Sequence, residues 1–188
     1  MKPAPSVKFT YEDFLNFPND GKRHEIIDGE QYVTPAPITK HQRVSRKLTV
    51  ALGTYLDQHP AGEVFAAPLD VVFSDLDVVE PDLLYISRER REILSETHVR
   101  GAPDLVVEIL SPGTRKVDEI TKRKLYERFG VREYWVVDPE LDAIKIYRRV
   151  NDAFVRVAEL NVEHDDVVTT PLLPEFSAAL AEIFASPI

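Results

Sequence analysis

The chain has 188 residues, 44% of them hydrophobic and none of them cysteine, with a net charge of −9. That size fits one globular domain spanning 1–188, and the missing thiols exclude a disulfide framework and thiolate-ligated zinc. The acid excess excludes a general nucleic-acid coat without excluding a local basic groove, and the lack of an 18-residue apolar run or signal-type start predicts a soluble, cytoplasmic protein.

Taken in order, Thr10 stands three residues before Asp13 and ahead of Phe14, which predicts a capped short helix ending near Pro18. Arg23 to Val33 reads as two strands joined at Asp28-Gly29, a dipeptide that tolerates the positive φ of a tight hairpin, with Glu25 in the first strand. After Pro35 and Pro37, Thr39 is expected to cap a helix from about Lys40 to Gln58, apolar along Val44, Leu48, Leu52 and Leu56. Glu63 to Ala67, Leu69 to Phe73 and Asp82 to Ile86 are rich in β-branched and aromatic residues and predict strands. Arg88 to Thr97 is charged, a short helix or a surface loop.

The continuous apolar run Leu105 to Leu110, bounded by Pro103 and Pro112, predicts a central strand covered on both faces. Beyond the loop Ser111 to Thr114, a helix is expected from about Lys116 to Phe129, stopped by Gly130. Glu133 to Val137 is the next strand. A hairpin of Ala143 to Arg149 and Phe154 to Glu159 turns at Asn151-Asp152, and Val167 to Leu173 leads to a terminal amphipathic helix near Pro174 to Phe184. With no repeat and no linker, the expectation is one mixed α/β (α+β) domain.

The chemistry centres on Glu108, a carboxylate inside an apolar strand. Burying it unpaired costs several kcal/mol, about the worth of a sizeable part of a fold's stability, so it needs a cation, a metal or hydrogen bonds. Alternation puts Asp104, Val106, Glu108 and Leu110 on one side of that strand. In the next helix, steps of 100° bring Lys122, Leu125, Tyr126 and Phe129 into one arc, while Arg123 and Lys124 fall outside it. Lys122 is therefore the candidate partner of Glu108. A second acid, Asp82, follows Pro81 at the start of another apolar strand, and two acids on adjacent strands can share a hard divalent cation such as Mg²⁺. An amine beside them stabilises or helps deprotonate an attacking water, which makes acid, acid and lysine a phosphodiesterase constellation.

Each residue has a structural alternative. Glu108 and Lys122 make a buried ion pair without metal, Asp82 an ordinary turn residue, Glu25 a hairpin-surface acid, and Asp104 a strand-start residue bonding its own loop. Lys122 alternatively snorkels to water. The five histidines show no metal-ligand spacing, and His41, at the start of the long helix, reads first as a capping or surface residue and second as a neighbour of the site. Trp135 reads as core.

Arg23 to Glu30, Glu80-Pro81-Asp82, Ala102 to Pro112, Lys122 to Tyr126 and Gly130 to Pro139 together resemble the Uma-type restriction endonuclease family, a branch of the PD-(D/E)XK nuclease superfamily. The resemblance runs from about Tyr11 to the last helix. It implies a restriction-endonuclease-like mixed β-sheet flanked by helices and Mg²⁺-dependent hydrolysis of DNA phosphodiesters, with Mn²⁺ as a substitute. Asp82 then matches the Pro-Asp metal ligand, Glu108 the acid of the Glu-X-Lys strand, and Glu25 an additional N-terminal acid. Leu110 occupies the usual lysine position, so the implied amine is Lys122 of the following helix, with Lys124 as second choice. Cleavage of both strands implies a homodimer. The alternative function is a degenerate nuclease fold that binds nucleic acid or protein without turnover.

Overall fold

The computed structural model describes residues 7–186. Thr10 caps α1 (Tyr11–Phe14) through a reciprocal capping box with Asp13, as the spacing predicts. The hairpin of β1 (Arg23–Ile27) and β2 (Glu30–Thr34) turns on Asp28 and Gly29, both with positive φ. Next come α2 (Thr39–Gln58), β3 (Gly62–Ala66), β4 (Val71–Ser74), β5 (Asp77–Val79) and β6 (Leu83–Ser87). A 3₁₀ turn over Arg88–Ile93 and the two-residue β7 (Val99–Arg100) lead to β8 (Leu105–Ile109). A π-helical turn, Val117–Lys122, runs into α3 (Arg123–Phe129), which ends at Gly130 in the left-handed region. The rest is β9 (Glu133–Asp138), β10 (Ala143–Val150), β11 (Ala153–Asn161), β12 (Val167–Thr170), β13 (Leu173–Ala179) and α4 (Leu180–Phe184).

Six strands form a mixed sheet in the order β11-β10-β9-β8-β6-β3, in which β8 pairs antiparallel with β6 and parallel with β9. The parallel pair requires a crossover, and the π turn with α3 supplies it. One face of this sheet packs Leu105, Val107, Ile109 and Trp135 against Val44, Leu48 and Leu52 of α2 and against the β12-β13 hairpin and α4. The other face packs Val106, Leu110, Tyr134 and Val136 against Leu125 and Tyr126 of α3 and against the second sheet, β2-β1-β5-β4-β7. Every residue of β8 is buried, because both faces are covered. Among the described residues no helix is long and apolar enough to cross a membrane.

Two expectations are corrected, and two short strands are added. Thr39 is the first residue of α2, and Ile38 precedes it without any side-chain cap. The segment expected as a helix from Pro174 is extended through Ala179, because it pairs with β12 and alternates buried and exposed residues; only its last turn is helical. Val99–Arg100 and Asp77–Val79 are strands too short to show any periodicity in sequence. Leu48 is fully buried at the contact of α2 with the main sheet. Leu48→Ala should lower unfolding free energy by about 2–5 kcal/mol, seen as a lower urea midpoint at unchanged m-value.

Candidate active site

The site is built where β8 ends. Leu83 faces Val107 across the antiparallel β6–β8 pair, and one further step of that register places Asp82 across from Glu108. Directly opposed residues share a face, so the two carboxylates are neighbours by backbone geometry. The main-chain N–H of Ile109 then donates to Asp82 Oδ2 at 2.7 Å, tying the acid to the central strand.

Lys122 enters from the other layer. It is the last residue of the π turn, and its side chain is 3% exposed. Its Nζ lies 2.7 Å from Glu25 Oε1, 3.1 Å from Glu108 Oε1 and 3.6 Å from Asp118 Oδ1. Tyr126 Oη donates to the same Glu108 oxygen at 2.5 Å, one helical turn beyond Lys122. Glu25 in turn accepts the main-chain N–H of Glu80 at 2.9 Å, so the β1 acid fixes both the amine and the residue two before Asp82.

Asp82 has two side-chain partners of its own. His41 Nε2 lies 3.1 Å from Oδ2, and Arg23 Nη1 donates to Oδ1 at 3.0 Å. Burial pushes the Asp82 carboxyl up, but His41, Arg23 and the Ile109 amide outweigh it and hold it down to about 2. Glu108 moves the other way: burial drives it well above the usual carboxylate range against the pull of Lys122. Asp118 rises to about 6 for the same first reason, burial. Burial also disfavours the Lys122 ammonium, yet the charges of Glu108, Glu25 and Asp118 raise its pKa. A charged lysine beside a readily protonated glutamate is consistent once the three acids are considered together, since one amine cannot balance three carboxylates.

That imbalance bears on metal binding. Fully ionised, Glu25, Glu80, Asp82, Glu108 and Asp118 would face Arg23, Lys122 and the His41 ring, and with His41 neutral three negative charges would be uncompensated in a largely buried space. Among the described residues no three acids or histidines converge closely enough to enclose a metal. Two adjacent carboxylates with surplus charge fit a hard cation that keeps most of its waters, as Mg²⁺ does, rather than a fully protein-ligated ion. A cleft of about 530 Å³ opens over Asp82 and Glu108.

Of the residues expected from sequence, Glu25, Asp82, Glu108 and Lys122 are brought together, Lys124 is exposed, and Leu110 is core. Glu25 is buried in the cluster, not on a hairpin surface. Asp104 is also buried, bonded to the Ser87 amide and Arg132 at the opposite end of β8. For His41 the first reading, a surface or capping residue, gives way to the second: it is a buried partner of Asp82 at the site, with an unpartnered Nδ1. Its signal was present: 41, 44, 48 and 52 form one helical stripe. Asp118, four residues before Lys122 on the same helical face, was equally legible and was missed.

The family model Uma2, described as "Putative restriction endonuclease", matches residues 11–181. A crystal structure from Anabaena variabilis, described as "a putative nuclease belonging to DUF820", superposes with a TM-score of 0.78 at 21% identity. The match covers 94% of this chain and 97% of that one, a likeness that shows a shared fold. No curated protein matches significantly.

An acid whose folded-state pKa lies above its unfolded value holds its proton more tightly in the native state, so stability falls as pH rises between the two values. For Asp118 that window runs from 3.8 to about 6, and the loss is on the order of 2–3 kcal/mol. Asp82, being depressed, acts with opposite sign in a lower window, from 3.8 down to about 2. Urea unfolding of the metal-free protein in EDTA should therefore show stability falling from about pH 4 to pH 6. Asp118→Asn should flatten this limb and be the more stable protein at pH 7; superimposable profiles would refute the assignment.

Proposed function

Since the chain belongs to the Uma2 family of restriction-endonuclease type, we propose that it is a metal-dependent endonuclease hydrolysing DNA phosphodiesters. The observation that carries this reading is the buried Lys122 amine 3.1 Å from Glu108, with Asp82 on the adjoining strand. Asp82 and Glu108 would hold Mg²⁺ or Mn²⁺, which when bound supplies Lewis acidity and a water acidic enough to serve as nucleophile.

The protein's own groups divide the remaining work. Lys122, its pKa raised, stays charged at neutral pH and cannot take a proton from water. Its role is to orient the nucleophile and to stabilise charge building on the phosphate, in a setting where the amine is already in place and needs no reorganisation. Glu25 positions that amine and does not face the cleft itself. His41 and the Ile109 amide occupy Oδ2 of Asp82, so a cation at this acid would share Oδ1 with the Arg23 guanidinium. Cutting both strands takes two such sites, and a homodimer is part of the proposal.

Supercoiled plasmid incubated with Mg²⁺ or Mn²⁺ should be nicked by the parent and protected by EDTA. Asp82→Ala, Glu108→Ala and Lys122→Ala should each slow nicking by at least ~100-fold, the scale of losing a preorganised electrostatic group. Absence of metal-dependent nicking by the parent, or parental rates in all three variants, would leave the acid-amine cluster as a structural network in a non-catalytic binding module.

A further inference from the structure

Arg23 opens β1, and strand alternation sends it to the same side as Glu25 but nearer the rim, with its side chain 18% exposed. Two acids grip its guanidinium. Nε lies 2.7 Å from Glu80 Oε1, and Nη1 donates to Asp82 Oδ1 at 3.0 Å. A guanidinium carries five N–H donors in a rigid fork, so these contacts leave most of it unspent. Among the described residues Nη2 has no protein acceptor, and it is not one of the buried polar atoms left without a partner. Arg23 lines the cleft over Asp82 and Glu108, and Nη2 is the part of its guanidinium that these contacts with Glu80 and Asp82 leave over.

We propose that Arg23 contacts the substrate phosphate, its Nη2 edge donating to a non-bridging oxygen of the phosphodiester. Balancing the acids needs only a positive charge, which any cation supplies. A fork held at Nε and Nη1 has its third edge already aimed, so little conformational freedom remains to be lost when an anion arrives. The carboxylate of Asp82 is shared between this fork and the proposed cation, which puts the guanidinium one carboxylate away from the reacting group. The inference rests on the nuclease reading, because the phosphate it concerns is the one that reading places at Asp82 and Glu108.

The test is the fluorescence anisotropy of a fluorescein-labelled DNA duplex with Ca²⁺, the duplex verified intact on a gel, across a series of salt concentrations. Arg23→Gln should weaken binding by at least ~10-fold, as expected for a charge-assisted hydrogen bond. It should also make the slope of log K against log salt shallower by about 0.9, one phosphate contact. Arg23→Lys keeps the charge and loses the fork, so it should retain the slope yet bind several-fold more weakly, with a native thermal melt. If Arg23→Gln keeps parental affinity and slope while calorimetry shows tighter Mn²⁺ binding, Arg23 is merely a counterion and the inference falls alone, with nicking by the parent intact. Parental affinity in Arg23→Lys also overturns it, and decides the matter if the Gln variant does not fold. A parent that neither binds nor nicks DNA ends the nuclease reading and this inference together.

Discussion

One ammonium among three buried carboxylates is the constraint on which the structure turns. Lys122 sits within 3.6 Å of Glu25, Glu108 and Asp118, and each of these comes from a different place in the fold: a hairpin of the second sheet, the central strand of the first, and the preceding helical turn. Desolvating four ionisable groups is costly, and breaking such a set from one side leaves charges without partners. The layers are thereby held in register by polarity, while the apolar contacts of Val106, Leu125 and Tyr126 hold them together.

The rest of the site follows from how the central strand is covered. Because β8 is flanked by β6 and β9 and roofed on both faces, Glu108 has no route to water except past its own end, where the cleft opens. Asp82 arrives there through antiparallel register, His41 from the first turns of α2, and Arg23 from the start of β1. Fully ionised, the acids would outnumber the cations beside them, and burial answers this by raising Glu108 and Asp118.

Much of this was legible in the residues. The burial of β8 followed from its unbroken apolar run, and Lys122 followed from helical phase, since α3 is regular from Arg123 onward. The hairpin at Asp28-Gly29 and the stop at Gly130 followed from backbone conformations that few other residues tolerate. What escaped has physical reasons. Pro174 to Ala179 alternates weakly and becomes a strand only through its partner β12, so tertiary pairing overrode the local pattern. Ligand spacing among the histidines carries no sign of the role of His41, because its partner is an aspartate 41 residues away. In the sequence Arg23 is one of 23 basic residues, and only the positions of Glu80 and Asp82 distinguish it.

The placement of the amine on a helix has a mechanical corollary. A lysine at position 110 would be fixed by the same backbone that fixes Glu108, and the distance between them would be as stiff as the sheet. Here that distance spans two layers, and the amine hangs from a π-helical turn, a wider and locally irregular stretch of backbone. Small rotations or slides of α3 against the sheet change the amine-to-carboxylate distance directly. The distance from amine to carboxylate is therefore set by how α3 packs on the sheet, through Leu125 and Tyr126 against Val106 and Val136.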